Sequence, residues 1–204
     1  MKLNSIEKTF VIIKPDGVKR GLVGKIFSRF EQTGLKLVSC RMIKPTEDMV
    51  KGNYPAEDIE WLTKMGEKTY VNYDNNLEEI KRDLGTIDKL EIGKKVLDSL
   101  VKYVSSGPVI LMVWEGNHST ATIRKLAGAT DPTKAELGSI RGDYGFDTPM
   151  LAVKSGRIAF QTIVHISESQ DAAQKEIAHW FGDKYKDLGN YSRIDYTGSF
   201  EAFN

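Results

Sequence analysis

Residues 109–114 read Val-Ile-Leu-Met-Val-Trp, six apolar side chains in a row with no polar alternation. A run this short, and this rich in β-branched and aromatic residues, reads as a strand buried on both faces: a half-exposed strand would alternate, and a helix would need more length. The chain must therefore supply apolar layers for both sides of one sheet. Its 204 residues, 40% of them hydrophobic, suffice for one sizeable core and favour a single domain carrying insertions.

The rest of the chain is read around that strand. Residues 8–14, KTFVIIK, form a second short apolar run stopped by Pro15-Asp16-Gly17, which places Lys14 at a strand end. Leu22, Val23, Ile26, Phe27 and Phe30 recur at helical spacing before Gly34, so a helix is expected over 21–33, followed by a strand over 35–43. After Thr46 a short helical turn carries Asn53 and Tyr54. The composition then turns charged and poor in strand signals until about Leu97, which reads as an insertion at about 61–95; within it Leu77, Ile80 and Leu84 make one helical stripe. Residues 120–126 form a helix. The loop from Gly128 to Asp147, rich in Gly, Asp, Thr and Pro, is long enough to suggest a function. Residues 160–165 read as the last core strand, and Ser167 or Ser169 caps a final helix whose Ala173, Ile177 and Phe181 face inward. This order contains the βαββαβ pattern of a ferredoxin-like α/β (α+β) fold with a four-stranded antiparallel sheet, although other α/β arrangements share it.

Several function classes fall away. The formal net charge of +1 gives no global footprint for nucleic acid, and RNP-type aromatic signatures are missing. No apolar stretch is long enough for a membrane span and the polar start MKLNSIEK lacks a signal-peptide core, so a cytoplasmic protein is expected. One cysteine and three scattered histidines exclude an internal disulfide and the usual zinc spacings. The nearest approach to a Walker loop is Gly24-Lys25, but Lys19 and Ile26 break the pattern at both ends.

Phosphate chemistry would then fall to isolated cations. Lys14 beside Gly17 can present an ammonium to an anion, and Arg124 and Arg141 with Thr130 between them are apt donors for a diphosphate. A surface lysine and a pair of solvated arginines explain the same residues. His165 at a strand end can attack a phosphoryl group and hold it, with Glu176, eleven residues on, fixing the tautomer of its ring. A purely structural histidine is the competing reading.

The longer motifs carry more. FVIIKPDGVKRGLVG (10–24), LVKYVSSGPVILMVWEG (100–116), LAGATDP (126–132), SIRGDYG (139–145) and KEIAHWF (175–181) stand in this order and closely resemble nucleoside diphosphate kinases. The resemblance covers most of the chain apart from 61–95, a shorter insertion at about 146–158 and the last twenty or so residues. It implies a ferredoxin-like domain assembled as a hexamer or tetramer. It also implies ping-pong exchange of phosphate between nucleoside tri- and diphosphates, with Mg2+ carried on the nucleotide phosphates rather than in a protein site. His165 takes the place of the phosphorylated histidine, Lys14, Arg124, Thr130 and Arg141 of the phosphate contacts, Tyr54 of another pocket position, and Ser167 and Glu176 of the groups supporting the nucleophile.

Departures from the family pattern mark where this chain should differ. Ile166 stands where a glycine usually follows the nucleophile, and Thr162 where an asparagine binds the ribose. Val96 aligns with the aromatic residue that stacks on the base, which leaves two expectations: Trp61 or Tyr70 replaces it, or the base rests on aliphatic side chains. Glu136-Leu137-Gly138 replaces a Lys-Pro-Gly sequence in a loop that mediates subunit contacts. These changes would also suit a family member that binds nucleotides as a regulator or scaffold, although such a protein has no need to keep His165.

Overall fold

The computed structural model describes residues 6–182 and Tyr191. Strand β1 (Ile6–Ile13) passes through Lys14 into helix α1 (Pro15–Lys19), with Pro15 at the first helical position, where its missing N–H leaves no bond unmade. Helix α2 (Val23–Glu31), strand β2 (Lys36–Ile43) and helix α3 (Glu47–Lys51) follow. Asn53 and Tyr54 lie just beyond α3, not within it. Helix α2 begins two residues later than its apolar spacing suggested, because Gly21 has a positive φ of 67° and ends the preceding turn.

The segment expected as an insertion is built of helices: α4 (Ile59–Asn72), α5 (Leu77–Leu84) and α6 (Lys89–Ser105). Their N-caps are Asp58, Asn76 and Asp88, whose side chains accept from the amides of Trp61, Glu79 and Glu91. On α5, Ile80 and Leu84 are buried while Leu77 is exposed, so the helical stripe is real but narrower than expected. Helices α4 and α6 meet at two glycines. A Cβ on Gly66 would lie 1.9 Å from the carbonyl oxygen of Lys89, and one on Gly93 would lie 1.9 Å from that of Leu62. Only hydrogen at both positions lets the two backbones approach this closely.

Strand β3 (Val109–Asn117), helix α7 (Ser119–Ala127), a 3-10 turn at Pro132–Lys134, and helices α8 (Ile140–Tyr144) and α9 (Pro149–Lys154) lead to strand β4 (Val164–Ile166) and helix α10 (Gln170–Phe181). Ser169, not Ser167, caps α10 through the amide of Ala172. The sheet order is β2-β3-β1-β4, with every neighbouring pair antiparallel, as a ferredoxin-like α/β fold requires.

Period-two alternation divides the sheet between two cores. Val11, Ile13, Met112 and Trp114 pack with Ile26 and Phe30 of α2 and Ile123 of α7. Phe10, Ile12, Leu111 and Val113 pack with Val101 of α6 and Ile177 and Trp180 of α10. Both faces are covered, which is why Val109–Trp114 carries no polar alternation. A third, smaller core joins Tyr73, Ile80, Leu84 and Ile92 to Val96, and also to Val153 and Ile158 from the α9 region. The two segments read as separate insertions thus pack on each other.

Candidate active site

The last core strand is much shorter than 160–165. Pairing to β1 starts only at Val164, because Ile163 has φ +64°, a region β-branched residues avoid. Three bonds hold it there: the Val164 amide to the Thr162 carbonyl (2.6 Å), the Lys14 amide to the Ile163 carbonyl (2.7 Å), and the Ile163 amide to Asp16 Oδ2 (3.1 Å). The Tyr103 hydroxyl donates to the other Asp16 oxygen. A conformation costing about 1–3 kcal/mol is thus fixed by the Lys14-Pro15-Asp16-Gly17 corner. Gly17 is needed there, since a Cβ would meet Ile13 and Ile163 side-chain atoms at 2.8 and 3.2 Å.

This kink sets His165, paired opposite Ile12, on the face covered by α10. Its Nε2 lies 2.7 Å from Glu176 Oε1, and Ser167 Oγ donates to Glu176 Oε2 while accepting from the Phe10 amide. Glu176 and Ser167 are buried, so the carboxylate is held by its two partners and holds the imidazole in turn. With Nε2–H donated to Glu176, Nδ1 keeps a free lone pair, and it makes no hydrogen bond among the described residues. The Tyr54 ring stands edge-on to the imidazole at 6.0 Å, and Phe10 lies 6.2 Å away.

A cleft of about 1090 Å³ opens at His165. Every residue expected at the site lines it except Ser167, which stands behind Glu176. Lys14 is buried, its ammonium donating to Thr162 Oγ1 at 2.8 Å and lying 5.5 Å from the centre of the Tyr103 ring. Burial, then the Arg141 charge, lowers its pKa to about 7 against a partial upward pull from Asp16. It is not a surface lysine.

Nor are the arginines a solvated pair. Arg141 is buried and donates to the carbonyls of Thr162 (3.1 Å), Gly128 (2.7 Å) and Val164 (2.9 Å). Burial, then the neighbouring Arg124 charge, pushes its pKa down to about 10. Arg124 is exposed on the last turn of α7, with Nη1 3.4 Å from the Ser167 carbonyl, and Thr130 is exposed in the loop beyond. Lys14 and Arg141, buried cations under mutual repulsion, are poised for an anion.

At the other end of the cleft Val96 is half-buried on α6. Trp61 lines the cleft but is stacked on Tyr54 at 6.0 Å, whereas Tyr70 donates its hydroxyl to the Ile87 carbonyl and is not part of the wall. Sequence reasoning missed the Asp16 and Tyr103 brace, the Ile163 turn, and Phe160, which also lines the cleft. It also missed Asp147, 1% exposed, which accepts two bonds from Arg157 (2.6 and 3.0 Å) and one from the Gln161 amide (2.7 Å). Among the described residues no three histidine, cysteine, aspartate or glutamate side chains are grouped to hold a metal, and no helix is long and apolar enough to cross a membrane.

Comparison with known proteins agrees with this geometry. The family model described as nucleoside diphosphate kinase matches residues 7–61 and 85–185, skipping 62–84 and running unbroken through 146–158. A nucleoside diphosphate kinase of Pyrobaculum aerophilum is 44% identical over 88% of this chain and 97% of its own length. One from Brugia malayi is 37% identical over 97% of this chain and 99% of its own. Among solved structures, an NDP kinase from Pyrobaculum aerophilum superposes with a TM-score of 0.82 at 42% identity, covering 86% of this chain and 96% of that one. A nucleoside-diphosphate kinase from Borrelia burgdorferi, a transition state mimic with bound vanadate and ADP, gives 0.70 at 32% identity over 94% and 95%. With three cations lining the same cleft as an oriented imidazole and relatives matching nearly end to end, this chain belongs to the nucleoside diphosphate kinase family.

Proposed function

We propose that this chain exchanges phosphate between nucleoside triphosphates and diphosphates, with His165 as the carrier. The observation that carries the reading is the Glu176–His165 contact, which leaves Nδ1 as the free ring nitrogen at a cleft lined by Lys14, Arg124 and Arg141. The triphosphate enters with its phosphates against these cations and Thr130. Nδ1 then attacks the γ-phosphorus, an N–P bond forms, the bond to the bridging oxygen breaks, and the diphosphate leaves with that oxygen. Glu176 stabilises the positive charge that develops on the ring, and Ser167 keeps Glu176 aimed. A second diphosphate takes the phosphoryl group by the reverse path. Lys14 and the arginines meet the charge spread over the transferring oxygens.

The donor set fits a magnesium ion that arrives on the nucleotide: Glu176 is already committed to His165 and Ser167, and no other carboxylate cluster faces the cleft among the described residues. When bound, such an ion offsets charge on the phosphates. The chain reads as one domain in which 61–95 and 146–158 are additions. A homo-oligomer, hexamer or tetramer, is part of the proposal, supported by the open edge of β2 at Cys40–Met42 and by Leu137, which is 89% exposed.

Incubation with γ-labelled ATP and magnesium tests the reading. Acid-labile label is expected on His165 and not on His118, which sits at the N-cap of α7, nor on His179, whose Nε2 lies 2.7 Å from the Met49 carbonyl. Transfer near the wild-type rate in His165→Ala would overturn it.

A further inference from the structure

Four aromatic residues line the cleft: Tyr54, Trp61, Tyr73 and Phe160. Three have rings already committed. Tyr54 and Trp61 stack on each other, and Tyr73 is 5% exposed within the small core of α4, α5 and α6. Phe160 is different. It is half-buried, belongs to no apolar cluster, and has no ring or cation partner among the described residues. A half-buried aromatic ring at a cleft wall, outside every apolar cluster and with no ring stacked on it among the described residues, is placed as a binding surface rather than core.

Its setting is rigid. The amide before it, at Ala159, donates to Ser99 Oγ on α6 at 2.9 Å, and the amide after it, at Gln161, donates to the buried carboxylate of Asp147 at 2.7 Å. Asp147 is itself gripped by Arg157 across the α9 excursion. Both flanking peptides are therefore pinned, one to the helix carrying Val96 and one to the ion pair closing residues 147–157. Two residues further on, Thr162 carries Lys14 on its hydroxyl and Arg141 on its carbonyl. Phe160 thus lines the same cleft as these cations, two residues from the Thr162 that both of them contact.

We infer that the Phe160 ring is the platform on which the base of a bound nucleotide stacks. The inference rests on reading the cleft as a nucleotide site. It moves the aromatic role away from Trp61 and Tyr70, where the sequence pointed, to a residue just beyond the α9 excursion. Every base has a π-face, so a stacking platform gives affinity without selecting the base. The enzyme accordingly takes purine and pyrimidine diphosphates through one contact. Val96 needs no aromatic ring, because the ring comes from another part of the wall.

Equilibrium binding of ADP, GDP and inorganic pyrophosphate to the whole chain, by calorimetry, separates the base from the phosphates. Phe160→Ala is expected to weaken ADP and GDP alike by roughly 5- to 150-fold, the range for losing one base-aromatic stack, and to leave pyrophosphate unchanged. Phe160→Trp is expected to restore nucleotide binding, and Trp61→Ala to have a smaller effect than Phe160→Ala. Unchanged ADP affinity in Phe160→Ala, or equal losses for ADP and pyrophosphate, would overturn the assignment. So would a base-dependent loss in Trp61→Ala that Phe160→Ala lacks. Because binding is measured without turnover, absence of label on His165 would remove the catalytic proposal while leaving this result standing.

Discussion

Replacing Lys14 by methionine keeps the length of the side chain and removes its charge, and the consequence should depend on pH in a definite direction. Folding lowers the Lys14 pKa from 10.5 to about 7, mainly by burial. A difference of that size corresponds to roughly 5 kcal/mol of native-state penalty on the charged form. Between about pH 7 and 10.5 the native chain binds fewer protons than the unfolded chain, so wild-type stability rises with pH across that window. Below it the penalty is fully present. Lys14→Met should therefore be the more stable protein near neutrality and below, and its advantage should shrink by roughly 2–3 kcal/mol between about pH 6 and pH 9. Urea unfolding of both proteins at the two pH values measures this. Function should move the other way: free wild-type enzyme loses this cation as pH rises through about 7, so kcat/KM should fall there, while kcat holds to higher pH because bound phosphates retain the proton. A stability gap that does not change with pH would refute a depressed Lys14, and with it the idea that a strained cation is kept for the phosphates.

The two arginines should separate. Arg141→Ala should lower transfer by about two to three orders of magnitude and also destabilise the fold by about 3 kcal/mol, since three carbonyls lose their donor. Arg124→Ala should lower transfer comparably with stability within about 0.5 kcal/mol of wild type, because its side chain is exposed; steady-state kinetics paired with thermal unfolding distinguishes the two. Gly93→Ala should destabilise by about 2 kcal/mol or more, as its Cβ would sit 1.9 Å from the Leu62 carbonyl oxygen and push α4 off α6; an unchanged melting temperature would contradict that helix crossing.

What could be read from the sequence was whatever one residue type announces locally. Val109–Trp114 declared a doubly covered strand because burial on both faces suppresses alternation, and Pro15 declared the end of β1. The cations proposed for the phosphates were legible as an ordered set of motifs, but not their state. Nothing in the spacing of Arg124 and Arg141 tells that one is solvated and the other locked beneath three carbonyls. The extent of the last strand was misread for a related reason. Phe160–His165 has the composition of a strand, yet Ile163 takes a left-handed conformation that isoleucine disfavours, imposed by Asp16 and Lys14 from about 150 residues away. Gly66 and Gly93 carry no local signal of their role: they are contact points whose partner becomes visible only when α4 crosses α6.

The misread strand also explains how the fold serves the chemistry. β1 bonds the Ile163 carbonyl through the Lys14 amide and the Ser167 amide through the Phe10 carbonyl, so the Thr162 and Val164 carbonyls, at the alternate positions, are left off that ladder. Arg141 donates to both, across the turn at Ile163. The same turn puts the Thr162 hydroxyl on the Lys14 ammonium and leaves only Val164–Ile166 paired, which is enough to fix His165 opposite Ile12. A strain of about 1–3 kcal/mol thereby holds two buried cations and His165, the proposed carrier, in one rigid arrangement. On the proposed mechanism, donors fixed before substrate arrives need not reorganise as charge moves onto the transferring phosphoryl group, so the corner at Lys14–Gly17 would contribute to catalysis through geometry as much as through the lysine it carries.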